Sequence, residues 1–421
     1  MFFCKNIEQL FHQRTKKTKL EKDLSFVVFD SAKEVEQEHW DEVLQGRNIF
    51  LDTKYLKTLD AISKKNFQSR YVIIYNHTEP YAIAYFQVID FQASAFGDLV
   101  DSKVNTIKSK RAQLFGQYLD NNKDEVVMRL LTCGNNIVSG EHAFLFKVKI
   151  PKQEEFQVIE DLIERVGSKE KLRGKVSAVL VKDFESPLLK KAKCFFSQDK
   201  YIEFSVEPNM VVDIPQNVNA LAEYIALFSK KYRNRAKSIL KNAVKMQVKV
   251  LSEEELKAEN KNIYKLYEQV YEHAKFKLVK LPESYFLDFK KNFPDKFEVT
   301  AYYYENKLVA FTSGIDVTDT MLEAHYIGFD YEINKEIDLY QNILYNFLEK
   351  AILAKKKRLN LGRTAGEIKS TVGAHAQELT CYVKPQNTVS RLVLKPFISF
   401  LQPSEWVPRN PFKEESLSGA M

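Results

Sequence analysis

Two hydrophobic periods organise the chain. Alternation at period two predicts strands at Ser25–Phe29, Arg70–Tyr75, Tyr81–Ile89, Val126–Leu131 and Ala143–Ile150, and the apolar run Val176–Val181 reads as a buried strand. Helical spacing predicts helices at Val35–Leu44 around Trp40, at Asp52–Ala61 and at Glu154–Val166. Strands at Tyr201–Phe204 and Met210–Ile214 then lead to a long helix, Val218–Ala243, and a second, Glu253–Lys275. Strands follow at Glu298–Tyr304, Leu308–Asp316 and Met321–Phe329, then a helix at Tyr340–Ala351 and a short strand at Leu359–Leu361. The stretch from Asp98 to Asp124 is polar and aperiodic, and reads as irregular. Helices feeding an antiparallel-rich sheet are expected.

Pro187, Pro208 and Pro215 break up the middle of the chain, which sets a domain boundary near Pro215. The expected layout is an N-terminal segment 1–23, domains 24–214 and 215–385, and a proline-rich tail 386–421 that packs around Trp406 and ends in disorder. An internal repeat supports two related halves. Lys65–Asp90 aligns without gaps on Lys291–Asp316, matching Glu79 with Glu305, Ala84 with Ala310, Tyr71 with Phe297 and Tyr85 with Phe311.

Composition narrows the class. The chain has 421 residues, 45% hydrophobic and 28% charged, which is ample for sizeable cores and reads as soluble and globular. A net charge of +7 permits an anionic partner without requiring one. Cys4, Cys133, Cys194 and Cys381 are too scattered for a disulfide framework or a zinc site, which favours a reducing, cytoplasmic setting. No run reaches the roughly 18 apolar residues of a membrane span. Phe3, Ile7, Leu10 and Phe11 fall at helical spacing ahead of Arg14, Lys16, Lys17 and Lys19; such a segment docks on its own protein or makes peripheral membrane contact.

Polar chemistry concentrates between Leu359 and Ala374. Gly362 allows a tight turn, Thr364 and Glu367 have the form of a capping box, and Gly373 is placed to end the helix as a left-handed cap. Backbone N–H groups after Thr364, with Arg363 beside them and Lys369 one turn on, suit a phosphate or carboxylate. Glu323 and His325 point to one face of their strand and form a candidate general base. Tyr340, Gln341 and Asn342 open a helix toward the same region. Lys230, Arg233, Lys237 and Lys241, with Lys231 and Arg235 beside them, make a basic helix face; if one pair binds an anion, Arg233 and Arg235 suit phosphate best. His-Glu-x-x-His is absent, and no metal site is expected.

Lys369-Ser-Thr-Val372-Gly373 resembles the Lys-x-x-Phe-Gly motif of the FemAB-like branch of the GNAT acyltransferase superfamily, with Val in place of Phe, and Leu339–Tyr345 resembles the helix preceding that motif. The basic helix near Tyr232 resembles a further family segment, and the likeness covers residues 210–385 most clearly. The resemblance implies an α+β fold of two tandem GNAT-like domains, each a mixed, mainly antiparallel sheet flanked by helices. It implies a bacterial N-acyltransferase moving an acyl or aminoacyl group onto an amine acceptor, with Lys369 meeting the developing oxyanion or gripping a substrate phosphate. It implies no permanently bound cofactor; the donor is a co-substrate, acyl-CoA, an acyl carrier or aminoacyl-tRNA. Acetyl-CoA-dependent members carry a glycine-rich pyrophosphate loop after the third strand, whereas Gly328–Asp338 holds one glycine and several acids. Those acids would repel a pyrophosphate. The competing expectation is a non-catalytic module of the same fold that binds an anionic ligand or a protein partner.

Overall fold

A computed structural model describes residues 18–20, 23–62, 67–92, 127–170, 173–185, 191–193, 195–196, 201–274, 279–387, 390–391, 394, 398, 403 and 406–413. The expected N-terminal helix, the 98–124 stretch and the chain beyond Lys413 lie outside these residues. Two compact units form, unit 1 from Met1–Val206 with Leu379–Gln402 and unit 2 from Glu207–Glu378 with Pro403–Met421.

Unit 1 contains strands β1 (Thr18–Lys19), β2 (Leu24–Phe29), β3 (Phe67–Asn76), β4 (Glu79–Gln92), β5 (Val127–Cys133), β6 (Phe144–Phe146) and β7 (Ala178–Glu185). Its helices are α1 (Gln37–Leu44), α2 (Thr53–Asp60) and α3 (Lys152–Glu170). Strands β2 to β5 pair antiparallel in succession, β5 and β7 pair parallel, and β7 pairs antiparallel with Leu379–Pro385. Leucine and isoleucine recur along α3 at helical spacing, so Ile159, Leu162, Ile163 and Val166 bury against Phe26, Val72, Ala84 and Phe86 of the sheet.

Unit 2 contains the second part, from Glu207, of β8 (Ile202–Asp213), and β9 (Met246–Val250), β10 (Phe297–Tyr304), β11 (Lys307–Thr318), β12 (Met321–Phe329) and β13 (Arg358–Asn360). Its helices are α4 (Leu221–Ala226), α5 (Lys230–Ala243), α6 (Glu253–His273), α7 (Tyr285–Asn292), α8 (Tyr331–Ile337), α9 (Leu339–Leu353) and α10 (Gly366–Ser370). Strands β9 to β12 pair antiparallel, β12 and β13 parallel, and β13 antiparallel with Val211–Asp213 of β8. Each unit is therefore α+β, with a mixed, mainly antiparallel sheet, and the succession of pairings is the same in both. In unit 1 the last pairing comes from β14 (His375–Pro385), far along the chain.

The chain changes unit after Val206, after Glu378 and after Gln402, where the prolines led us to expect one crossing near Pro215. Strand β8 runs unbroken through Pro208, because an extended backbone tolerates proline wherever its missing N–H is not needed. The gapless repeat does not hold in register, although each unit has a similar hairpin. Two-residue loops sit at His77–Thr78 and Glu305–Asn306, 228 residues apart, and the bulges at Ile74/Tyr75 and Tyr302/Tyr303 keep that spacing. The gapless sequence match has the spacing 226. A two-residue slip leaves every side chain on its own face, so the hydrophobic pattern cannot detect it.

The single helix expected over Val218–Ala243 is two. Phe228 leaves the helical path to bridge Phe412, Ser229 N–H donates to Pro411 O at 2.8 Å, and Lys413 N–H donates to Leu227 O at 3.1 Å. Burying Phe228 against Tyr224 and Phe412 outweighs a few lost helical hydrogen bonds. The tail divides as well: Leu394 and Ile398 pack in unit 1, whereas Trp406 and Phe412 pack on the core of unit 2.

Candidate active site

Strands β12 and β13 pair only where Met321–Glu323 meets Arg358–Asn360. Beyond that point β12 continues to Phe329 while the other chain turns away at Leu361. The gap is a cavity of about 350 Å³ within unit 2, walled by β12, by Tyr340, Ile343, Leu344 and Phe347 of α9, and by Leu361–Ala365 and Lys369. One wall is apolar and the other carries cations.

The turn is built by backbone that leaves the ordinary regions. Gly362, Thr364 and Ala365 have φ of 71°, 65° and 50°. Helix α10 then starts at Gly366 with Ala365 as its N-cap and no side-chain cap. The expected Thr364–Glu367 capping box is therefore not formed: Thr364 lies in the left-handed region, and Glu367 is held by Arg409, whose Nε donates at 3.0 Å. With five residues, α10 offers no appreciable dipole to an anion. At its far end Gly373 has φ of 95°, its N–H donates to Ser370 O at 3.1 Å and Ala374 N–H to Lys369 O at 3.3 Å, the paired bonds of a Schellman turn. Val372, at the motif position where the family has Phe, is fully buried and accepts from the Tyr224 hydroxyl at 3.0 Å.

Lys369 is 4% exposed, and its ammonium donates to Gly362 O at 3.1 Å and Arg363 O at 2.6 Å. Two of its three N–H groups thus hold the turn, and the third remains for the cavity. Burial pushes its pKa down to about 7, with the Glu207 charge opposing part of that shift. Arg363 is half-buried in the same wall.

The other candidates separate. Glu323 accepts from Asn360 Nδ2 at 3.3 Å, and Asn360 Oδ1 accepts from Gly362 N–H at 2.9 Å, a chain that pins the point where the strands part. Glu323 is not part of the cavity wall. His325 belongs to the cavity wall and is the extra residue of a bulge, since Gly314 faces Ala324 and Ser313 faces Tyr326. Its ring turns to α7, sharing a hydrogen bond of 2.8 Å with the Tyr285 hydroxyl and packing on Phe289 and Phe297. Burial pushes its pKa down to about 3, so at neutral pH it is a weak base. Tyr340 lines the cavity, and burial raises its hydroxyl pKa. Asn342 instead donates to Ile337 O at 2.9 Å and Asp338 O at 3.3 Å, fixing the corner between α8 and α9. Gln341 accepts from Arg235 Nη2 at 3.3 Å, and Arg233 Nη1 donates to Phe228 O at 3.5 Å. Neither arginine lines the cavity.

Asn360 and Asp330 had no signal in the hydrophobic pattern. Asp330 Oδ1 accepts from Glu332 N–H at 2.9 Å and Ile333 N–H at 3.2 Å, capping α8 directly after β12. A carboxylate thus occupies the first free N–H groups of α8. Among the described residues no group of three or more His, Cys, Asp or Glu is arranged to hold a metal, and no helix is long and apolar enough to cross a membrane.

No family model matches the chain, and no curated protein matches its sequence. Solved structures do. FemX is 12% identical, with 90% of this chain aligned to 100% of that one at a TM-score of 0.50. L-PGS from Bacillus licheniformis is 12% identical over 65% of this chain and 82% of its own, at 0.39. A GCN5-related N-acetyltransferase from Kribbella flavida is 9% identical over 86% and 72%, at 0.40. The FemX match carries a likeness of fold, in line with the FemAB-like GNAT architecture that the Lys369 motif suggests.

Proposed function

We propose that unit 2 transfers an acyl or aminoacyl group to an amine. The observation that carries this reading is the buried ammonium of Lys369 in the wall of a cavity that opens where two parallel strands part. The acceptor amine adds to the donor carbonyl, forming a C–N bond and a tetrahedral oxyanion; the oxyanion collapses, and the leaving group departs with the amine's proton. A low-dielectric site makes a fixed cation worth most where that negative charge develops. The third N–H of Lys369 is available for it, and Arg363 adds positive charge to the same wall. Neither Glu323 nor His325 suits the role of base, so the proton passes directly to the leaving group.

The donor is a co-substrate. Asp330 caps the helix where a nucleotide pyrophosphate would sit, which favours an acyl carrier or aminoacyl-tRNA over acyl-CoA. The acceptor is a small or carrier-bound amine. One observation favours the second reading, a module that binds without turnover: Lys369 spends two of its donors on its own turn, as a purely structural lysine does. Transfer assays over the three donor classes, with wild type and Lys369→Ala, separate the two. Turnover lost in the variant while ligand affinity persists supports transfer; the absence of turnover with every donor, alongside ligand binding, supports the module.

A further inference from the structure

Helix α5 is charged on one side only. It contains Lys230, Lys231, Arg233, Arg235, Lys237 and Lys241 and no acidic residue, and among the described residues none of these six is in an ion pair. Ala236 and Ile239 bury into the core of unit 2, so the opposite face points outward, where Lys230, Lys231, Arg235, Lys237 and Lys241 are exposed. Lys230, Lys237, Lys241 and Val244 follow one another seven, four and three residues apart, a single line along the helix and its end.

That line of cations runs into apolar residues in water. Val244 is 86% exposed, with exposed Lys245 beside it, and the chain passes directly into β9, the edge of the unit 2 sheet, where Val248 and Val250 are 42% and 49% exposed. Val248 lies opposite buried Tyr302 and Val250 opposite Thr300, which places both valines on the face of the sheet whose Tyr302 shares a core with Ala236 and Ile239 of α5. One surface thus combines unpaired cations with three exposed valines.

We infer that this surface docks unit 2 on an anionic phospholipid bilayer, the cations of α5 meeting the headgroup phosphates and Val244, Val248 and Val250 entering the boundary with the acyl chains. A polyanion such as RNA satisfies the cations and gains nothing from the valines, and one tyrosine, Tyr232, is too few for base stacking. A bilayer rewards both features: cations near an anionic surface each strengthen binding, and buried apolar area adds to it. Arg235 reaches Gln341, and the adjoining Tyr340 lines the cavity, so the docked face flanks the candidate site. The inference holds whether or not the site performs transfer.

The test uses the full chain and sedimentation with phosphatidylcholine vesicles, with and without phosphatidylglycerol. Wild type should sediment with the anionic vesicles only, and salt should release it by screening. Lys237→Gln with Lys241→Gln should weaken partitioning about 25-fold, at roughly fivefold per cation. Val244→Asp should weaken it as well, with the fold checked by circular dichroism. Equal binding to neutral vesicles, no binding to anionic ones, or partitioning unchanged by these substitutions overturns the inference. So does tighter binding to an RNA duplex that Val244→Asp leaves unaltered.

Discussion

The ammonium of Lys369 donates to the carbonyl oxygen of Arg363 at 2.6 Å, so the cation that lines the cavity also ties down the turn that shapes it. Structure and chemistry at this position are therefore one interaction, and variants there need two readouts.

Replacing Lys369 by Met leaves the Gly362 and Arg363 carbonyls without their donor. We expect a loss of about 1–3 kcal/mol at pH 8, in the range for buried hydrogen-bonding groups that lose a partner. Urea unfolding measures it. Transfer should fall by about 100-fold or more, the scale for removing one oxyanion donor. A variant with wild-type turnover ends the catalytic role.

The pH dependence follows from the depressed pKa of Lys369, about 7 in the folded protein against an ordinary 10.5. Below pH 7 folded and unfolded chains both carry the proton, and the penalty of a buried charge is present in full. Between pH 7 and 10.5 the unfolded chain binds a proton that the folded one lacks, so stability rises with pH across that window. The stability of wild type relative to Lys369→Met should therefore increase from pH 7 to pH 10 in parallel urea titrations. If the protonated amine meets the oxyanion, kcat should fall as pH rises through about 7. A kcat that rises there assigns Lys369 to proton acceptance instead.

Asp330→Gly removes the side-chain cap of α8 and exposes its first N–H groups. The stability cost should be a few tenths of a kcal/mol, as for a cap replaced by glycine. Acetyl-CoA should bind the variant more tightly than wild type, as measured by calorimetry. Tight acetyl-CoA binding by wild type would mean that the carboxylate does not block the pyrophosphate position.

Gly373→Ala places a methyl group 2.4 Å from the Tyr224 hydroxyl oxygen and 2.7 Å from Phe412 Cζ, at a φ of 95°. Overpacking and backbone strain together should cost about 2–4 kcal/mol, read as a fall in Tm. A variant as stable as wild type would show that Phe412 moves aside freely.

Local pattern was enough to locate most strands and helices, because alternation and helical spacing record which side chain faces a core, and β3, β4, β10, β11, β12 and α9 all have such a face. It was enough to place Lys369 one helical turn beyond Arg363 and Thr364 in the same glycine-bounded segment. Tertiary contacts decided the rest. Phe228 broke a helix because Phe412, almost two hundred residues later, was there to bury it. Glu367 left its capping box because Arg409 offered an ion pair. A one-residue bulge and the rings of α7 enclosed His325 and kept it uncharged. Periodicity is a property of neighbours in sequence, whereas a helix end, a cavity and a buried pKa depend on which distant segment arrives to fill the space.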